Sequence, residues 1–207
     1  MGQKKQSNKV IRGLVLELRP DDNQKVLLSK HLNDCRFIYN QYVEEYLNCI
    51  KENRLPNYKD YQELRTEYEF LEGLYSWTLQ QVKFQFLKTN SINRSKRAKG
   101  QKVGLIKFRS KKAHSDYFYS NNIKLSYNLD CKSESYVKIP KIGLVNFKCK
   151  NIKSELLNGK IKSTVVKRSK TGVYKISLLV EVNKVREDRV SNDHIGLDFS
   201  LRDFFCW

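Results

Sequence analysis

Acidic residues are scarce beside the basic ones. Against 40 lysines and arginines stand 22 aspartates and glutamates, a formal net charge of +18 over 207 residues and a pI near 9.7. A chain so unbalanced repels itself unless a polyanion is its normal partner, and counterion release makes nucleic acid the favoured one. Histidine is rarer still (His31, His114 and His194), and the cysteines, Cys35, Cys49, Cys131, Cys149 and Cys206, are odd in number and form no CxxC pair. A structural zinc site therefore lacks its usual donors, and buried reduced thiols of a cytosolic protein are the expected state. No apolar run approaches the ~18 residues of a membrane span. The N-terminus, MGQKKQSNKV, is basic and polar with no apolar core, so it does not read as a secretory signal, and Gln6 stands where myristoylation requires Ser or Thr. Anionic membrane is the rival polyanion, and on these absences no membrane partner is expected. What is present, 40% apolar and 12% aromatic residues, is too rich for disorder and suits one large domain or two small ones.

Periodicity divides the chain. Over Val10–Leu18 (VIRGLVLEL) apolar residues alternate with period two, which predicts a strand, and Pro20 with Asp21 and Asp22 ends it and offers a helix cap. Leu28, Leu32, Cys35, Tyr39, Tyr42 and Tyr46 then fall at alternating steps of four and three, a long amphipathic helix ending near Asn53. Pro56–Asn57 marks a turn. Tyr61, Leu64, Tyr68 and Leu71 repeat the helical spacing, Gly73 breaks it, and Tyr75, Leu79, Val82 and Phe86 resume it, so a bundle of about three helices is expected from Asp21 to Asn90.

A basic stretch follows: Lys88, Arg94, Lys96, Arg97, Lys99, Lys102, Lys107, Arg109, Lys111 and Lys112, with no acidic residue among them. Such a block does not pack against itself and reads as a loop or groove edge that orders on a phosphate backbone. Beyond Ser115 the chain turns to strands: Ile123–Tyr127, Tyr136–Ile139, Leu144–Phe147, Ile161–Arg168 and Val173–Val182, with Asn158–Gly159 as a tight hairpin turn. With the first strand these make a small antiparallel barrel, the helices lying between its first strand and the rest. Lys184 to Asp193 reads as a linker before a last apolar strand carrying Asp198.

Six segments then stand in a telling order: RFIYN at Arg36–Asn40, SWTLQQ at Ser76–Gln81, KFRSKK at Lys107–Lys112, VKIPKIG at Val137–Gly143, IKS at Ile161–Ser163 and IGLDFS at Ile195–Ser200. Together they resemble the TnpB (OrfB) proteins of bacterial insertion sequences, RNA-guided nucleases related to the type V CRISPR effectors, whose corresponding motifs are R-F-V-Y-N, S-x-x-L-Q-Q, P-K-F-K-S-K, V-K-I-P-K-L-G, I-K-S and the I-G-I-D strand that opens a RuvC-type domain. Ile106 replaces the proline of the third motif. The resemblance spans the chain and covers the N-terminal half of that family.

It implies an α+β fold: a wedge-like antiparallel β-barrel interrupted by an inserted helical bundle, plus the first strand or hairpin of a RuvC/RNase H-like domain. The implied divisions are residues 1–20 (first barrel strand), 21–95 (helical recognition domain), 96–183 (rest of the barrel with the basic linker) and 184–207 (linker and truncated start of the nuclease domain). The implied partners are a guide RNA and double-stranded target DNA in the bacterial cytoplasm, at the nucleoid. RuvC-type cleavage gathers several carboxylates around magnesium ions. Asp198 matches the first acidic motif, and the second and third, with the family's CxxC ribbon, have no counterpart. The expectation is thus a transposon-associated binder without a working nuclease and without its own Mg2+. The alternatives are a split endonuclease completed by a second chain, which would finish the metal site at Asp198, and a guided DNA-binding repressor.

For contacts, Gln80 and Gln81 have the donor–acceptor pattern that reads adenine in the major groove. The resemblance places their helix, with Tyr39 and Asn40, near the target duplex. The plain alternative is a solvated helix surface for the glutamines, and core and helix surface for Tyr39 and Asn40. Tyr117 and Tyr119 suit base stacking or a barrel rim. Lys107, Arg109, Lys111, Lys112, Lys138 and Lys141 suit phosphate contacts, with Lys148 and Lys150 continuing the series.

Overall fold

The computed structural model describes residues 9–111, 116–126, 135–148 and 154–183. Strand β1 (Lys9–Arg19) keeps its alternation: Leu14, Leu16 and Leu18 are buried, while Ile11 and Val15 face outward. Asp21 caps the next element. Its carboxylate accepts from the Gln24 amide at 2.8 Å, and the Gln24 side chain accepts from the Asp21 amide at 3.2 Å, closing a capping box. Helix α1 (Asp22–Glu52) runs 31 residues, roughly 46 Å at 1.5 Å per residue, and ends at Asn53 in the left-handed region with φ 50. Its buried stripe contains every residue of the expected four–three spacing.

Helix α2 (Tyr61–Glu67) and a 3-10 turn (Glu69–Leu71) lead to α3 (Ser76–Ala98). Helix α3 continues past the Asn90 expected from the sequence, so Arg94, Lys96 and Arg97 belong to a helix and not to a loop. The physical reason is that no Pro or Gly interrupts the run before Gly100, and cations in a last turn complement the helix dipole. The strands that follow are β2 (Asp116–Ser120), β3 (Lys124–Ser126), β4 (Tyr136–Ile139), β5 (Gly143–Lys148), β6 (Lys160–Arg168) and β7 (Tyr174–Asn183), with the one-turn α4 (Ser154–Leu157) before β6.

The strands form one seven-stranded antiparallel sheet in the order β2-β6-β7-β1-β5-β4-β3. It curls into a half-barrel and stays open: among the described residues the edge strands β2 and β3 do not pair. The small antiparallel barrel expected from the sequence is thus a half-barrel over the described residues. Helices α1 and α3 pack on β2 and on each other. Strand β2 was not resolved from the sequence, because Tyr117-Phe118-Tyr119 is aromatic on both faces and hides the alternation. Asn158–Gly159 joins α4 to β6 and is not a hairpin turn. Its glycine is set by close approach: a Cβ there would lie 2.3 Å from Val180 Cγ1.

Helices and sheet share a single core, from Leu14, Leu16 and Leu18 through Leu28, Ile38 and Phe86 to Val166, Ile176 and Leu178. Phe86 on α3 is its aromatic hub, with the rings of Tyr39, Tyr42, Tyr46 and Tyr58 at 5.2–6.3 Å. A charged network also ties helix to sheet. Arg36 of α1 donates to both oxygens of Asp116 at 3.0 Å, and Arg168 of β6 donates to the same carboxylate at 3.0 Å.

Candidate nucleic-acid interface

On α3 the residues Trp77, Gln81 and Gln85 recur every fourth position and so share a helix face. Thr78 holds that face in place: its hydroxyl donates to the Tyr119 carbonyl at 2.9 Å, locking the start of α3 onto β2. Across from it β2 is followed by Asn121 and Asn122, the latter in the left-handed region (φ 54), before β3 begins at Lys124. Together with Ile161, Lys162, Ser163 and Thr164 of β6, these residues line an open groove of about 730 Å³.

The groove carries polar groups left without internal partners. Thr164 is 1% exposed, and its Oγ1 has no hydrogen-bond partner among the described residues; the same is true of Asn121 Oδ1. A buried hydroxyl without a partner is costly. The charge of the rim is positive. Lys124 stands directly opposite Lys138 in the β3–β4 register, both exposed. Like charges set side by side weaken a sheet edge in the absence of an anion. Lys162, by contrast, is tied to Glu181 at 2.5 Å, which also holds Lys9 at 3.2 Å.

The structure distributes the sequence-selected residues unevenly. Gln81 lines the groove, whereas Gln80 is exposed and outside its lining. Lys138 lies on β4 opposite the groove-lining Lys124 but is outside the lining, and Lys141 is exposed at the β4–β5 turn with φ 65. Tyr119 is at the groove, half-buried, and burial raises its hydroxyl pKa. Tyr39, Asn40, Arg109 and Tyr117 gather elsewhere. The Asn40 side chain both accepts from the Arg109 amide at 2.8 Å and donates to the Arg109 carbonyl at 3.1 Å. The Arg109 guanidinium lies 3.5 Å from the Tyr39 ring centroid and 4.8 Å from that of Tyr117, and donates to the Tyr117 hydroxyl at 2.7 Å. Tyr39 is buried, which raises its pKa, with the Arg109 charge opposing.

Lys107 and Lys111 are exposed, and Lys148 is half-buried at the end of β5. Lys112, Lys150 and Asp198 lie outside the described residues. Sequence reasoning missed Trp77, Gln85, Asn121, Asn122, Lys124 and Thr164. The fourfold spacing of Trp77, Gln81 and Gln85 was available as a signal for the helix side. Nothing in the sequence brings Asn121 and Thr164 together.

Among the described residues no three His, Cys, Asp or Glu side chains gather where they could hold a metal ion. Cys35 and Cys49 are free and buried, and burial raises the pKa of both thiols. No described helix is long and apolar enough to cross a membrane.

No curated protein matches the chain. Residues 8–54 match the helix-turn-helix domain family of IS605 OrfB proteins. In this structure that span, so far as it is described, holds β1 and the uninterrupted α1, with the next helix starting at Tyr61. The likeness is therefore one of sequence over a strand–helix unit, not of two helices meeting at a turn. On that match, the N-terminal region of this chain is similar to that of IS605 OrfB proteins.

Proposed function

We propose that this chain is a transposon-associated, TnpB-like protein that grips nucleic acid in the groove between α3, the β2–β3 connection and β6. The observation that carries the proposal is the convergence there of Trp77, Gln81 and Gln85 with two buried polar atoms, Thr164 Oγ1 and Asn121 Oδ1, that no described protein group satisfies. Amides paired with an indole suit base edges and base faces, and the Lys124–Lys138 pair suits the adjoining phosphates. The net charge of +18 supports a polyanion as partner.

In the finer reading the groove meets double-stranded target DNA while other basic surfaces hold a guide RNA. Residues 21–95 then act as the recognition unit and 96–183 complete the wedge. Asp198 would give a RuvC-like site its first carboxylate; no cleavage step is assigned to this chain. Fluorescence anisotropy of the full chain with duplex DNA tests the proposal. Gln81→Ala with Asn121→Ala is expected to weaken binding by about 5- to 150-fold, the range for losing roughly 1–3 kcal/mol of base contacts. Duplex binding equal to wild type in that double variant, with an unchanged unfolding midpoint, would remove the groove from the interface.

A further inference from the structure

Residues 99–111 contain Lys99, Lys102, Lys107, Arg109 and Lys111, no acidic residue, and neither helix nor strand. A segment of this composition is expected to be loose until a polyanion orders it. Here it is fastened along its length. The Gln101 amide donates to the Lys96 carbonyl at 3.1 Å, and Arg97 reaches back from α3 to the carbonyls of Val103 at 3.3 Å and Gly104 at 2.9 Å. Ile106 is 6% exposed in the core. Asn40 pairs with both backbone groups of Arg109, whose guanidinium is held between the rings of Tyr39 and Tyr117.

The outward side of this fastened segment displays Lys102, Lys107, Phe108 and Lys111. Phe108 is 52% exposed and pairs with no other ring among the described residues. None of the three lysines has an ion-pair partner there. An aromatic face set among unpaired cations on a rigid backbone matches the general design of single-strand binders, where rings stack on bases and cations follow the phosphates. Rigidity adds to this, since a strap already ordered loses little entropy on binding.

We infer that residues 102–111 form a pre-ordered site for single-stranded nucleic acid, in which Phe108 stacks on an unpaired base and Lys102, Lys107 and Lys111 hold the neighbouring phosphates. Arg109 is then a positioning residue: its charge is engaged by two tyrosine rings, and it fixes the strap without touching the ligand. The inference rests on the nucleic-acid reading above but uses a surface separate from the groove lining.

The test titrates the full chain with a short labelled oligothymidylate and with a duplex of equal length, at several salt concentrations. Phe108→Ala is expected to weaken oligothymidylate binding by about 5- to 150-fold, one stacked base being worth roughly 1–3 kcal/mol, with the salt slope unchanged. Phe108→Leu should bind as weakly as the alanine variant, Phe108→Tyr should bind like wild type, and none of the three should alter duplex affinity. Lys107→Ala with Lys111→Ala should lower the slope by about 1.4. Asn40→Ala should speed tryptic cleavage after Lys107 and weaken oligothymidylate binding without changing the slope. A Phe108→Leu or Phe108→Ala chain that binds oligothymidylate like wild type overturns the stacking site while leaving the groove proposal standing. Failure of the wild-type chain to bind either nucleic acid at low salt sinks both.

Discussion

Replacing Thr164 by valine separates what the groove does for the fold from what it does for a ligand. Thr164 lies on β6 opposite Ser120 of β2 and Leu178 of β7, and it lines the groove. The side chain is 1% exposed and its Oγ1 has no described partner. A hydroxyl kept dry and unpaired costs about 1–3 kcal/mol, and valine has the same shape without that group. We therefore expect Thr164→Val to stabilise the free protein by about 1–2 kcal/mol. With an m value near 2 kcal/mol per molar urea, the midpoint should rise by roughly 0.5–1 M. Duplex affinity should fall at the same time by about 5- to 10-fold, the loss of one neutral hydrogen bond of roughly 1–1.5 kcal/mol. Gain of stability with loss of binding is the mark of a group retained for a ligand. If Thr164→Val instead lowers the midpoint and leaves duplex affinity untouched, the hydroxyl serves the fold and the reasoning fails.

Other perturbations follow from the packing and the charges. Phe86→Ala removes the ring on which four tyrosines converge and should cost about 3–5 kcal/mol by urea unfolding; a loss under about 1 kcal/mol would mean the core repacks freely. Asp116→Ala strands Arg36 and Arg168, whose side chains are 16% and 20% exposed, and should destabilise by about 3–5 kcal/mol, checked in the same assay. His31 gives a pH dependence. Its Nδ1 is bonded to the Leu27 carbonyl at 2.9 Å, its Nε2 is buried without a partner, and burial lowers its pKa below the ordinary 6.5. The unfolded chain then takes up a proton that the folded one refuses, so stability should fall as pH drops below 6.5, and His31→Gln should flatten that part of the profile. Glu45, held down to about 2 by the Arg54 side chain, adds a separate loss between its ordinary 4.5 and that value, which Glu45→Gln should remove.

Some of this architecture was legible in the residues alone because the signals were long and redundant. Helix α1 announces itself by a cap at Asp21, an unbroken four–three stripe and a left-handed stop at Asn53. Strands β1 and β7 bury alternate residues. The half-barrel's opening was not legible, since period-two patterning says which face is buried and nothing about whether two edge strands meet. Strand β2 was masked by three aromatics in a row. Arg109 shows the limit of counting charge: by composition it is one more phosphate ligand, yet two tyrosine rings and the Asn40 amide engage it. The groove was half legible. Its helix side repeats every fourth residue, while Asn121, Lys124 and Thr164 come from connections and strands whose meeting depends on the sheet order.

The most direct measurement is photo-crosslinking of the full chain to duplex DNA carrying a photoreactive thymine analogue, with the linked peptides identified by mass spectrometry. Crosslinks should concentrate on the α3 peptide holding Trp77, Gln81 and Gln85 and on the peptide running from Ser120 to Lys124. Crosslinks confined to the outward face of β1 and β7, around Ile11, Val15 and Leu179, would contradict the groove as the place where this protein meets DNA.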